Sequence, residues 1–161
     1  MKSFSGKVAA ITGAGSGIGQ ATAIALAKEG CHLAISDISK ESLDNTVELL
    51  AGYPVVISTH EVDVSDRKAV YQYAEDTVAT HGKVNLIMNN AGVGLGETVD
   101  NMSYENFEWL MNINFWGVVY GTKAFLPHIQ QAGEGHIVNI SSVFGTVSYT
   151  HLTLPTNGCV V

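Results

Sequence analysis

Four glycines at alternate positions, Gly13, Gly15, Gly17 and Gly19, follow the uncharged apolar run Val8, Ala9, Ala10, Ile11 and the hydroxyl of Thr12. A strand, a glycine-rich turn and a helix in this order leave backbone N–H groups open at the helix start, where the macrodipole also favours an anion. A pyrophosphate can rest there if no side chain intervenes, and that is what glycine provides. The spacing Gly13-x-x-x-Gly17-x-Gly19 differs from the general G-x-G-x-x-G fingerprint, and ordinary loops also collect glycine. A second residue sharpens the reading. Asp37 closes the next apolar run about 20 positions on, where a carboxylate can hold a ribose diol; the competing role is a solvated charge ahead of the following helix. Further polar residues close later apolar runs: Asp63, Asn89-Asn90 and Ser141-Ser142.

These residues need elements to position them, and the apolar spacing supplies an alternation of strands and helices. Strands are expected over residues 8–11, 33–37, 55–62, 84–88 and 136–140. The first helix carries Ile18, Ala21 and Ala25 on one face and stops at Gly30. Ser39 is the N-cap of a second helix with Leu43, Val47 and Leu50 on one face, ended by Gly52 and Pro54. Ser65 or Asp66 caps a third, with Val70, Ala74 and Thr77 inward and Gly82 as its stop. Ser103 starts a long helix over 103–132, with Phe107, Leu110, Asn114, Gly117, Gly121 and Phe125 along one side. Such alternation predicts an α/β fold, a doubly wound, Rossmann-like parallel sheet. Asp37, Asp63, Asn89-Asn90 and Ser141-Ser142 then all fall at the carboxyl ends of strands, where open α/β sheets bind ligands.

Composition bounds the rest. The chain has 161 residues, 46% hydrophobic and 14% charged, with a net charge of −7, which suits one globular domain. Its scattered acids make no basic footprint for nucleic acid or an anionic membrane. No run approaches the ~20 apolar residues of a membrane span, and residues 1–6 do not read as a signal peptide. Cys31 and Cys159 form no C-x-x-C, which points to a reducing cytoplasm. The six histidines show no metal-ligand spacing, so no metal is expected.

Together, Thr12-Gly13-x-x-x-Gly17-Ile18-Gly19, Asp63-Val64, Asn89-Asn90-Ala91-Gly92, Asn114 and Ile140-Ser141-Ser142 resemble the short-chain dehydrogenase/reductase family in order and approximate spacing over residues 7–146. Nucleotide-binding methyltransferases share the glycine turn and the acid after the second strand, but have no reason to carry Asn-Asn-Ala-Gly after the fourth. The resemblance implies an oxidoreductase passing a hydride between a nicotinamide and a small alcohol or ketone. Gly13, Gly17 and Gly19 would line the pyrophosphate, within a coenzyme-binding turn that also includes Thr12, Ser16 and Ile18. Asp37 would bind the adenosine ribose and favour NAD over NADP, since a carboxylate repels a 2′-phosphate and neither Ser16 nor Ile38 is basic. Asp63 would accept from the adenine amine, beside Val64. Asn90, Ala91 and Gly92 would pass along the riboses, Asn114 would hold a relay water, and Ser142 would bond the substrate oxygen. Each has a plainer role: Asn89 and Asn90 as ties between strands, Asn114 as a bend in its helix, the serines as turn residues.

The same resemblance exposes a departure. The family completes its site with Tyr-x-x-x-Lys, yet its spacing from Ser142 reaches Pro155 and Cys159, and no Lys or Arg follows Lys123. On that count the chain is catalytically incomplete: residues 1–146 form a nicotinamide-coenzyme domain truncated after the fifth strand. Residues 147–156 resemble a translated sequencing adapter, so residues 147–161 are expected to be a non-native, irregular tail. Helix 103–132 would mediate homo-oligomers of the parent protein and expose Phe107, Leu110, Trp109 or Trp116 here. A non-catalytic dinucleotide-binding module or sensor is the alternative function.

Overall fold

The computed structural model describes residues 3–98 and 100–142. Five strands, β1 (Val8–Thr12), β2 (His32–Asp37), β3 (Ile57–Glu61), β4 (Leu86–Asn89) and β5 (His136–Asn139), form one sheet in the order β3-β2-β1-β4-β5. All four pairings are parallel, with Ile11 beside Ile35 on one side and Met88 on the other. Helices α1 (Gly17–Lys28), α2 (Lys40–Leu50) and α3 (Arg67–His81) link the first four strands. Between β4 and β5 run α4 (Tyr104–Met111), a π-helical turn (Asn112–Trp116) and α5 (Gly117–Gln131).

Strand alternation divides the core between two faces. Ala9, Ile11, Leu33 and Ile35 pack with Ala23, Leu26, Leu43 and Leu50 of α1 and α2. Ala10, Ala34 and Ile87 pack on the other face with Val70, Tyr73, Phe125 and Ile129 of α3 and α5. Burying both faces explains why β1 is apolar without a break before Thr12. Strand order reverses at β1: its neighbours on either side connect away in opposite directions, which opens a crevice at its carboxyl end.

Local signals act as their chemistry predicts. Ser39 Oγ accepts the Ser42 N–H, Asp66 those of Lys68 and Ala69, and Ser103 Oγ that of Asn106. Asp66, not Ser65, is therefore the cap of α3. Gly30 and Gly82 sit at φ 76° and 74°, the left-handed stop that glycine takes without a Cβ penalty. Val70, Ala74 and Thr77 point inward, joined by Tyr73.

Three expectations are corrected. Helix α1 buries Gly19, Ala23, Leu26 and Ala27, while Ile18, Ala21 and Ala25 face outward; the tight seating of Gly19 sets the helix rotation. β3 begins at Ile57 rather than residue 55 and β4 at Leu86 rather than residue 84; at Val56 the carbonyl accepts the Leu33 N–H but the N–H turns to His32 Nδ1. The expected single helix over 103–132 contains the π-helical turn, one extra residue per turn, around Asn114. Phe107, Trp109 and Trp116 are exposed as anticipated, whereas Leu110 is half-buried. The expectation of an irregular tail over 147–161 lies outside the described residues, and so does Cys159. Cys31 is buried, and burial pushes its thiol up to about 11. Among the described residues no helix is long and apolar enough to cross a membrane, and no group of three or more His, Cys, Asp or Glu could hold a metal.

Tyr73 joins the two halves of this packing. Its ring is fully buried against Phe125 at 5.1 Å, and its hydroxyl donates to the Ala34 carbonyl at 2.7 Å and accepts the Ile11 N–H at 3.1 Å. Burial holds its pKa well above the usual tyrosine value. Tyr73→Phe removes both hydroxyl contacts to the β1–β2 ladder, each worth about 0.5–1.5 kcal/mol; the fall in urea midpoint at unchanged slope measures the loss.

Candidate functional site

Gly13 and Gly17 adopt φ of 63° and 53°, the region that side chains with a Cβ avoid. Gly19 answers to a different demand. A Cβ there would lie 2.2 Å from the Gly13 carbonyl oxygen, so the first turn of α1 rests directly on the turn that precedes it. The start of α1 also differs from those of α2, α3 and α4: Ser16 occupies the N-cap with no side-chain hydrogen bond to the helix. The first-turn N–H groups of α1 thus have no side-chain cap and open towards solvent through residues 16–18.

A two-way clamp fixes this turn. Thr12 Oγ1, nearly inaccessible, accepts the N–H groups of Asn90 and Ala91, both at 3.0 Å, and donates to the Met88 carbonyl at 3.4 Å. In return, Asn90 Nδ2 donates to the carbonyls of Thr12 and Gly13, each at 3.0 Å. The Asn90 Nδ2 therefore ties strands, with both of its N–H groups used. Asn89 is buried below, donating to Asn139 Oδ1 and Thr122 Oγ1. Its own Oδ1 lacks a partner among the described residues and fills the space where a Cβ on Gly121 would stand.

Asp37 ends β2 at the same edge. Its two oxygens accept the N–H groups of Gly15 at 3.0 Å and Ser39 at 3.1 Å, which holds the carboxylate against the glycine turn. Any Cβ at Gly15 would strike that carboxylate at 2.8 Å. Asp63 follows β3, its Oδ1 taken by the N–H and hydroxyl of Ser65. Val64 beside it packs on Gly117, where an added Cβ would come within 3.0 Å.

These segments enclose a cleft of about 500 Å³. Of the residues singled out from sequence, Gly13, Ser16, Gly17, Ile18, Asp37, Asp63, Val64, Asn90, Ala91 and Gly92 line it. Thr12 and Gly19 do not; they shape it from beneath. Asn114 lies outside the lining, its amide paired both ways with the Val93 backbone: Nδ2 donates to the carbonyl at 2.8 Å and Oδ1 accepts the N–H at 2.9 Å. Ser142 is exposed beyond β5 and also outside the lining. Sequence reasoning missed Ile38, Val62, Ser65, Val93, Trp109 and Ile113 as lining residues. Adjacency to Asp37, Asp63 and Gly92 could have suggested four of them; Trp109 and Ile113 reach the cleft only because α4 and the π-helical turn cross it. Among the described residues no basic side chain lines the cleft. Its means of holding an anion are amide groups and the α1 dipole.

Parallel strands in this order, with a glycine turn at the reversal point, define a Rossmann-like domain. The chain belongs to the short chain dehydrogenase family, whose model matches residues 7–154. It is 46% identical over 148 residues to the SadH protein of Mycobacterium tuberculosis, assigned by name to the oxidoreductases, covering 92% of this chain and 54% of that one. The 3-oxoacyl-[acyl-carrier-protein] reductase FabG of Thermotoga maritima is 37% identical over 140 residues, 87% of this chain and 57% of its own. A short chain dehydrogenase/reductase from Burkholderia phymatum, solved in complex with NAD, superposes with a TM-score of 0.88 at 38% identity, over 92% of this chain and 53% of that one. The chain spans about half the length of the curated relatives it matches.

Thr12→Val keeps the shape of the side chain but leaves two N–H groups without their acceptor. Each lost partner costs about 1–3 kcal/mol when buried, so the variant should lose several kcal/mol in denaturant melts. Faster amide exchange at Asn90 and Ala91 should accompany the loss.

Proposed function

We propose that the cleft binds NAD, and that this chain is the coenzyme-binding part of an oxidoreductase acting on a small alcohol or ketone. One observation carries the reading: the uncapped, glycine-lined start of α1 opens into the same cleft as Asp37. The turn would take the pyrophosphate on its amides, Asp37 the adenosine ribose hydroxyls, and Asp63 with Val64 the adenine. Asp37 carries a fixed negative charge where a 2′-phosphate would sit, and neither Ser16 nor Ile38 offsets it, which favours NAD over NADP. The bound coenzyme would supply hydride transfer at its nicotinamide. Ser142 would hydrogen-bond the substrate oxygen, and Asn114, whose amide also pins Val93, would hold a relay water.

The Tyr and Lys of the family motif have no counterpart at the spacing counted from Ser142, so the chain should bind coenzyme without turnover; a missing positioned acid/base group costs typically ~10²–10⁴ in rate. We take residues 1–146 as the incomplete coenzyme domain and 147–161 as foreign to it, although the family match extends to residue 154. Gene sequence continuing in frame into Tyr-x-x-x-Lys would support this, whereas a genuine stop after Val161 would favour a non-catalytic dinucleotide-binding sensor. The parent is proposed to be cytoplasmic and homo-oligomeric through the surface of α4, the π-helical turn and α5, where Phe107, Phe115 and Trp116 are exposed.

Titration with NADH, followed by its fluorescence, should saturate, with NADPH at least about tenfold weaker, a difference of ~1.4 kcal/mol. Asp37→Asn, which keeps an oxygen for the Gly15 N–H while removing the charge, should narrow that gap. Absence of binding at millimolar NADH overturns the coenzyme reading. Separately, absorbance at 340 nm with NAD and simple secondary alcohols should stay flat; steady turnover overturns catalytic incompleteness alone.

A further inference from the structure

A second polar cluster lies on the α3 side of the sheet, away from the glycine turn. Ser58 Oγ on β3 is 2.8 Å from His60 Nε2 and 2.9 Å from Nε2 of His81, the last residue of α3. His60 lies two residues along the same strand face, its ring 4.8 Å from that of Tyr73. Asp76 faces His60 from α3, and His32 faces His81 from β2.

Proton counting constrains this cluster. A serine hydroxyl carries one proton, and a neutral imidazole carries a proton on only one ring nitrogen. Bonding both Nε2 atoms requires the hydroxyl to donate to one ring and accept from the other. One ring is then protonated at Nε2 and the other at Nδ1. If both rings become imidazolium, the hydroxyl proton loses its ring acceptor, and two positive charges flank one oxygen. A single imidazolium can still donate from its Nε2, so the bonded arrangement is lost when both rings are charged and is secure when they are neutral. Burial favours the same state, holding both histidines below 6.5, and His81 is lowered further by His32 and His60. Asp76 opposes this at His60, and the C-terminal dipole of α3 opposes it at His81; neither reverses the direction.

We propose that Ser58, His60 and His81 form an acid-sensitive latch holding the last turn of α3 on β3, and that its release loosens the wall of the cleft. The coupling is one of chain path. β3 ends at Glu61, Val62 to Ser65 line the cleft, and Asp66 then caps α3. The wall is a short span strung between the two elements the latch joins. Because the folded-state histidines lie below their ordinary value, the latch contributes fully above about pH 6.5. Its contribution fades as pH falls through the folded-state values, where the unfolded chain binds more protons.

Amide exchange of the whole chain at pH 7.5 and pH 5.5, corrected for intrinsic rates, tests the latch without any ligand. Protection over residues 57–66 and 77–82 should fall at least about tenfold more than that of β1 on acidification. His60→Gln combined with His81→Gln should abolish this difference. Equal loss in both regions, or an acid effect that persists in the double variant, overturns the latch. Should the double variant fail to fold, ring NMR of the unaltered chain decides. One Nε2–H and one Nδ1–H tautomer with midpoints below 6.5 are expected; two rings titrating as free imidazoles overturn it.

Discussion

The exchange of hydrogen bonds between Thr12 and Asn90 is the contact on which the site depends. At the reversal point of a parallel sheet, β1 and β4 end side by side and their chains leave for opposite faces. Backbone groups at the two tips then lose their ladder partners, and burial makes that loss expensive. One hydroxyl and one carboxamide satisfy two N–H groups and three carbonyls there. The contact also draws the strands together so closely that a Cβ on Gly13 would lie 2.8 Å from Ala91 Cα. The glycines thus serve two ends, one permitting the clamp to close and the other leaving the amides of α1 bare.

The opposite wall is built by helices that come unusually close. Gly117 accepts Val64 into its surface, and Gly121 accepts the buried carboxamide oxygen of Asn89. Between α4 and Gly117 the π-helical turn resets the rotation of the helix. That turn presents Asn114 to Val93, so the loop leaving β4 is pinned by a side chain from an element more than twenty residues on. Trp109 and Ile113, on the same stretch, then complete the cleft. Asn114 is in this sense a structural partner of the segment that follows Asn-Asn-Ala-Gly.

Burial is uneven across the sheet. β1 is enclosed from end to end, whereas β5 pairs only with β4 among the described residues and is largely exposed. The glycine turn, Asp37 and the clamp all sit at the enclosed side. Ser142 follows the exposed strand. The proposed coenzyme cleft therefore rests on the best-packed part of the molecule, and Ser142 on its least-packed part.

Much of this was legible from residue order. Apolar period, glycine stops and the caps Ser39, Asp66 and Ser103 depend on neighbours within a turn or two, so the alternation of strands and helices could be read directly. The Gly13–Gly19 turn and Asp37 carried the cleft in the same way. The rotation of α1 was not legible: its first turns are rich in Ala and Gly, the two faces differ little in apolarity, and the seating of Gly19 on the Gly13 carbonyl selects the buried one. Nor could the sequence tell a ligand-binding carboxamide from a structural one, because Asn90 and Asn114 find their partners 78 and 21 residues away. Sequence alone determined the order of strands and helices and most of their stops, since those are short-range contests between backbone and adjacent side chains. Only the tertiary structure decided which polar groups are spent holding the chain together and which face the cleft, since each such contact needs two distant segments brought within 3 Å or so.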